Sequence, residues 1–212
     1  MLPQTVNSSN VEKLLAYSQR RRFGANSHIQ CVDERRETLS FIIKGSVTLF
    51  IEDEDGREMI IAYLNPGDYF GELGLFATAH QHTGNSPWLR ARTECEVADI
   101  SYQRFRELAR RNPVILFDLG KQIAQRLRRT TRKVGDLAFV DVSGRIVGCL
   151  LDLCKQPEAM THPDGMQIRI TRLEIGRIVG CSRQMVGQVL KELEERSLVH
   201  VRGKTMVIYG TR

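Results

Sequence analysis

TRLEIGRIVGCSRQMVGQVLKELEER, from Thr171 to Arg196, carries apolar and small residues at the spacing that two crossed helices require. Ile175, Val179, Cys181, Val186 and Val189 fall on the faces that meet, Gly176 lets the two backbones approach, and Gly180 supplies the turn. Ser182 stands where an N-cap belongs, because its hydroxyl can accept from a backbone N–H of the following turn. That turn presents Arg183, Gln184 and Gln188, whose side chains suit base edges in a major groove. The stretch reads as a helix-turn-helix with double-stranded DNA as its ligand, although an ordinary helical hairpin with a solvated polar face carries the same pattern.

Working outward, LVHVRGKTMVIYG, turned at Gly203, reads as a short hairpin that closes this domain, and Asp141 reads as the N-cap that opens it. The expected division is therefore residues 1–139 and 140–212. Upstream, Pro113 marks the start of a helix that runs to about Phe139. Along it Leu116, Gly120, Ile123, Leu127, Thr130, Val134 and Leu137 recur about every 3.5 residues, which draws an apolar seam down one side. Such a seam wants a partner helix or the chain's own β-layer. Arg126, Arg128, Arg129, Arg132 and Lys133 crowd the opposite faces, so enclosure on all sides is disfavoured and a homodimer through Leu116–Leu137 is expected.

Before that helix, residues from about Ala25 to Ser101 show strand-like runs (LSFIIKG, SVTLFIE, EMIIAYL, PWLRART, CEVADIS) broken at Gly45, Asp55-Gly56 and Pro66-Gly67. Short strands with regular turns predict a β-sandwich or roll, preceded by an amphipathic helix around Val11 to Ser18, for an α+β chain. Within it NPGDYFGELGLF, from Asn65 to Phe76, spaces glycines at 67, 71 and 74, which permits a turn that presents amide N–H groups to an anion. Glu72 is placed to accept from hydroxyls. A phosphate and a sugar would suit both; a plain connecting turn would too.

Composition fits without deciding. With 31 Lys+Arg against 25 Asp+Glu, a formal charge of +6 suits a polyanionic partner. No run is long and apolar enough for a membrane span, and MLPQTVNSSN lacks a signal-peptide core, so a cytoplasmic protein is expected. Cys31, Cys95, Cys149, Cys154 and Cys181 are odd in number and scattered; all but Cys31 lie in apolar segments and read as buried free thiols, with no disulfide and no metal site. No Ser/His/Asp or paired-carboxylate arrangement calls for an enzyme.

The order of these parts, together with FIIKGSV, IEDEDGREMII, GDYFGELGLF, CEVADISY, TTRKVGDLAF, EAMTHPDGMQIRITR, EIGRIVGCSR and GKTMVIYGTR, resembles the cyclic-AMP receptor protein (catabolite activator)/FNR family of bacterial transcription regulators, from about Leu14 to Arg212. The resemblance implies a homodimeric activator with a jelly-roll cyclic-nucleotide domain, a dimerisation helix and a winged helix-turn-helix. It implies cyclic AMP as allosteric effector, with Gly71, Glu72 and Leu73 as the phosphate cassette, Glu72 on the ribose hydroxyl and Ser86 on the phosphate. Arg126, Thr130 and Thr131 match dimer-helix positions around the nucleotide, the threonines facing the adenine. On DNA, Arg183 matches a guanine-reading arginine; Thr171, Arg172, Lys191 and Arg202 match phosphate-contacting or nearby positions. The Glu158–Gln167 loop around Thr161 matches a polymerase contact, and Arg21 and Arg104 match a second, basic activating patch.

Two places depart from the family pattern. Asn85 stands where the family has an arginine that pairs with the cyclic phosphate, so a charge-assisted contact becomes a neutral one. His80 and His82 share that loop and carry positive charge only below their pKa. Gln184 and Gln188 replace a glutamate and an arginine, which moves the readout toward adenine or toward water-mediated contacts. A nucleotide-independent or architectural DNA-binding protein, a cyclic di-GMP responder and a haem or redox sensor remain the competing readings. The absence of an N-terminal cysteine cluster speaks against an iron–sulfur sensor.

Overall fold

The computed structural model describes residues 8–30, 37–76 and 87–211. Backbone contacts divide the chain into two compact units, residues 1–129 and 130–212. The division falls inside a helix that ends at Phe139, so this helix gives its first turns to one unit and its last turns to the other.

The first unit begins with α1 (Ser8–Ala16), somewhat earlier than expected, and then builds β1 (Gln19–Phe23), β2 (His28–Gln30), β3 (Thr38–Lys44), β4 (Val47–Glu52), β5 (Glu58–Leu64) and β6 (Tyr69–Phe70). After the short α2 (Glu72–Phe76) come β7 (Trp88–Ala91), β8 (Cys95–Ser101), α3 (Tyr102–Arg111) and α4 (Val114–Phe139). The strands form two antiparallel sheets ordered β1-β8-β3-β6 and β2-β7-β4-β5. Gly45, Gly56 and Gly67, the expected turn glycines, have φ of +88°, +74° and +98°, a backbone region that a side chain resists.

Side-chain alternation along the central strands explains the layering. Leu39 and Phe41 of β3 and Ala98 and Ile100 of β8 face a cluster closed by Leu14 of α1, Phe105 of α3, and Ile115 and Leu119 of α4. Ile42, Cys95 and Val97 point the other way and meet Val47, Leu49, Leu64 and Leu89 of the second sheet. Strand β3 is buried on both faces because helices cover one and a sheet the other.

The second unit adds α5 (Val142–Leu153), β9 (Met160–His162), β10 (Gly165–Arg169), α6 (Arg172–Val179), α7 (Arg183–Glu195), β11 (Val199–Arg202) and β12 (Thr205–Tyr209). Its sheet runs β11-β12-β10-β9. Asp141 caps α5 as expected, its carboxylate accepting from Gly144 N–H at 2.9 Å. The Glu158–Gln167 stretch, expected as a loop, is largely a hairpin, with Thr161 paired to Met166. Cys95 and Cys149 are buried free thiols, whereas Cys154 and Cys181 are half-buried, and Cys31 lies outside the described residues.

Candidate ligand and nucleic-acid sites

The helix-turn-helix is built as its residues dictate. Ile175, Val179, Val186 and Val189 are buried. Cys181, expected in that core, is only half-buried because it sits on the turn, where its carbonyl rather than its thiol meets Gly176. A Cβ on Gly176 would lie 2.6 Å from that oxygen, so no other residue lets α6 and α7 approach this closely. Gly180 ends α6 in the left-handed region at φ 70°. Ser182 then caps α7, its hydroxyl accepting from Met185 N–H at 3.2 Å.

Capping leaves the first turns of α7 projecting outward. Arg183, Gln184 and Gln188 are exposed, as are Arg172 at the start of α6 and Lys191. With Gly187 they line an open groove of about 710 Å³. Thr171 caps α6 by accepting from Glu174 N–H at 3.1 Å, and Arg202 is exposed at the end of β11. Such a surface offers donors to phosphates and mixed donors and acceptors to base edges.

The cassette in the first unit is organised differently. Gly71 has φ of +83°, and a Cβ there would lie 2.6 Å from Thr38 C=O. Gly74, expected to help the turn, lies within α2, where its missing side chain makes room for the Tyr102 hydroxyl. The expected outward nest of amides is partly spent: Gly67 N–H donates to Ile42 C=O at 2.9 Å, and Tyr69 N–H donates to Gln122 Oε1 at 2.9 Å. Glu72 is only 8 % exposed, and its Oε1 accepts from the Arg126 guanidinium at 2.7 Å. The same guanidinium donates to Tyr69 C=O. Leu73 is exposed. Burial raises the Asp68 pKa, opposed by the Asn65 N–H it accepts from and by Arg126 and Arg129.

Arg126 is thus turned inward, not on the solvated face expected of it. Lys133 is withdrawn as well: burial holds its pKa down to about 8, against an opposing pull from Cys149, whose own thiol burial pushes up to about 12. Thr130, half-buried, and Thr131, exposed, follow Arg126 along α4 by about one helical turn. Asn85, Ser86, His80 and His82 lie outside the described residues. Sequence reasoning missed Gln122 and Tyr102. Gln122 carried one usable signal, its position four residues before Arg126 on the same helix face.

Two further surfaces emerge. On the expected seam of α4, Leu127 and Val134 are 66 % and 61 % exposed and Leu116 and Leu137 are also uncovered, while Ile115 and Leu119 on another face enter the core. Ile123 sits between, packed against that core. Arg21 on β1 ion-pairs with Asp99 at 3.2 Å and lines one groove with exposed Arg104 of α3. Among the described residues no helix is long and apolar enough to cross a membrane, and no cluster of metal-ligating side chains occurs.

Comparison with known proteins assigns both units. Residues 20–112 match the cyclic nucleotide-binding domain and residues 144–209 the Crp-like helix-turn-helix domain. The cAMP-activated global transcriptional regulator Vfr of Pseudomonas aeruginosa is 64 % identical over 211 residues, covering 100 % of this chain and 99 % of that protein. The cAMP-activated global transcriptional regulator CRP of Salmonella typhimurium is 53 % identical over 210 residues, 99 % of this chain and 98 % of its own. Among solved structures, the c-di-GMP responsive global regulator CLP of Xanthomonas campestris superimposes with a TM-score of 0.87 at 44 % identity, covering 97 % of this chain and 100 % of that one. A β-roll cyclic nucleotide-binding domain joined by a long helix to a Crp-like helix-turn-helix, with identity to these regulators over essentially its whole length, places the chain in the CRP family of transcription regulators.

Proposed function

We propose that the protein is a homodimeric, sequence-specific transcription regulator whose hold on palindromic DNA is set by a cyclic nucleotide, cyclic AMP foremost. The carrying observation is the buried Glu72–Arg126 pair beside the tight turn at Gly71. Arg126 takes Oε1 of Glu72, which leaves Oε2 to accept from a ribose hydroxyl. Gly71, Glu72, Leu73 and Ser86 then serve the phosphate, and Thr130 and Thr131 the base. The donor set suits a sugar phosphate, and the protein is read as a regulator that is not an enzyme and that works in the cytoplasm.

On the DNA, Arg183 reads a guanine, Gln184 and Gln188 read the neighbouring positions, and Ser182, Thr171, Arg172, Lys191 and Arg202 hold the backbone. A dimer through the exposed α4 seam sets two α7 helices about one DNA turn apart. Thr161 on its hairpin, and Arg21 and Arg104 on their groove, serve as contacts for RNA polymerase. Because Asp99 already pairs with Arg21, Arg104 is the stronger cation of that groove.

Asn85 favours a second reading. Losing the family's charged contact costs on the order of 1.5–3 kcal/mol, or about one to two decades in affinity, and a relative of similar structure is described as c-di-GMP responsive. Calorimetric titration with cyclic AMP, cyclic GMP and cyclic di-GMP separates the readings. Asn85→Arg is expected to tighten cyclic AMP binding by about one to two decades. If neither form binds cyclic AMP, and gel shifts do not respond to it, the effector is another ligand or none.

A further inference from the structure

Strand β6 is an edge of its sheet. Its inner side pairs with β3 through Ser40↔Phe70 and Phe41↔Tyr69, and Ile42 N–H donates to Asp68 C=O at 3.0 Å. The outer side presents backbone groups that require partners of their own. Side chains supply them. Gln122 Nε2 donates to Gly67 C=O at 2.8 Å while Gln122 Oε1 accepts from Tyr69 N–H at 2.9 Å. Arg126 donates to Tyr69 C=O, and the Tyr102 hydroxyl donates to Gly71 C=O at 2.6 Å.

The carboxamide of Gln122 therefore does what a peptide group of a neighbouring strand would do, with one donor and one acceptor on one planar unit. Neither leucine nor glutamate has both. The segment it grips, Gly67 to Tyr69, leads within three residues into Glu72, and the next turn of α4 brings Arg126 to that carboxylate. We propose that Gln122 is a positioning residue for the ligand site: by bridging Gly67 and Tyr69 it fixes where the cassette lies along α4, and so sets Glu72 against Arg126. The geometry also makes the cassette and the helix move as one piece. This assignment rests on the reading that Gly71 and Glu72 bind a cyclic nucleotide.

The test uses full-length Gln122→Leu and Gln122→Glu. In the ligand-free protein, amide exchange at Tyr69 and from Gly71 to Leu73 is expected to accelerate by about tenfold or more, while amides of α7 exchange as in wild type. Cyclic AMP affinity, measured by calorimetry, should weaken by about tenfold, with Gln122→Glu milder because it keeps the acceptor for Tyr69 N–H. Unchanged protection from Tyr69 to Leu73, or unchanged cyclic AMP affinity despite faster exchange, overturns the assignment. If Gln122→Leu does not fold, Gln122→Glu decides by the same readings. A wild-type protein that fails to bind cyclic AMP defeats the proposed function instead, and the exchange measurement still decides the clamp.

Discussion

Arg183, Gln184 and Gln188 lie exposed on α7, whereas Glu72, Gln122 and Arg126 are drawn in around β6 and bonded to one another or to backbone. Both groups belong to the proposed recognition sites, yet only the second is woven into the fold. On α7 the helix alone orients the side chains, and the helix is secured by capping and by the apolar residues behind it. At the cassette the polar groups are themselves structural, so anything that binds there meets groups already engaged. The DNA surface should therefore be easy to alter without loss of stability, and the cassette should not.

Arg126→Leu tests the second half of that contrast and should have the largest effect. It leaves the Glu72 carboxylate, 8 % exposed, without its cation, which costs about 3–5 kcal/mol in denaturant unfolding of the β-domain. Adding Glu72→Leu should recover much of the loss, because removing both charges also removes their desolvation cost. A single variant as stable as wild type would break the comparison at its root.

Arg183→Ala probes the first half. Its stability should stay within about 0.5 kcal/mol of wild type, since the side chain is exposed. Binding to a palindromic site should weaken by about 1–3 kcal/mol per half-site, and the preference for guanine at one position should disappear, which gel shifts on matched and substituted sites measure. A destabilised Arg183→Ala would mean that α7 is also held by its recognition residues.

Lys133 gives the smallest effect and sharpens the picture, because it is a charge withdrawn from water within the DNA-binding unit. Its folded pKa of about 8 lies below the ordinary 10.5, so the folded state pays for the ammonium at neutral pH. As pH rises from about 8 toward 10.5 the unfolded chain holds the proton that the folded chain has lost, and stability rises. Lys133→Met should thus be more stable than wild type at pH 7 by on the order of 1 kcal/mol, and the gap should narrow toward pH 10. Melting of the two proteins across that range checks it; a constant gap would show that Lys133 is solvated.

The contrast also explains what could be read in advance. Helix-turn-helix spacing, caps at Asp141 and Ser182, and turns at Gly45, Gly56 and Gly180 follow from local rules, and each appears where the residues place it. Strand β1, QRRRF, escaped notice because it has no apolar alternation. Pairing with β8 makes it a strand, helped by Arg20 against Glu96 and Arg21 against Asp99. Strand β6, with two residues, is too short for any periodicity to show.

The sequence by itself determined the elements whose signals are local: apolar periods, caps, left-handed glycines and the exposed polar turn of α7, all of which act within a few residues. Only the tertiary structure decided that Arg126 turns inward to Glu72, that Gln122 completes the edge of β6, and that Gly74 is small because Tyr102 lies against it. Those contacts join residues about 30 to 55 positions apart. Their reason is the rule that buried polar groups must find partners, and the partner is chosen by whichever side chain the fold brings within reach.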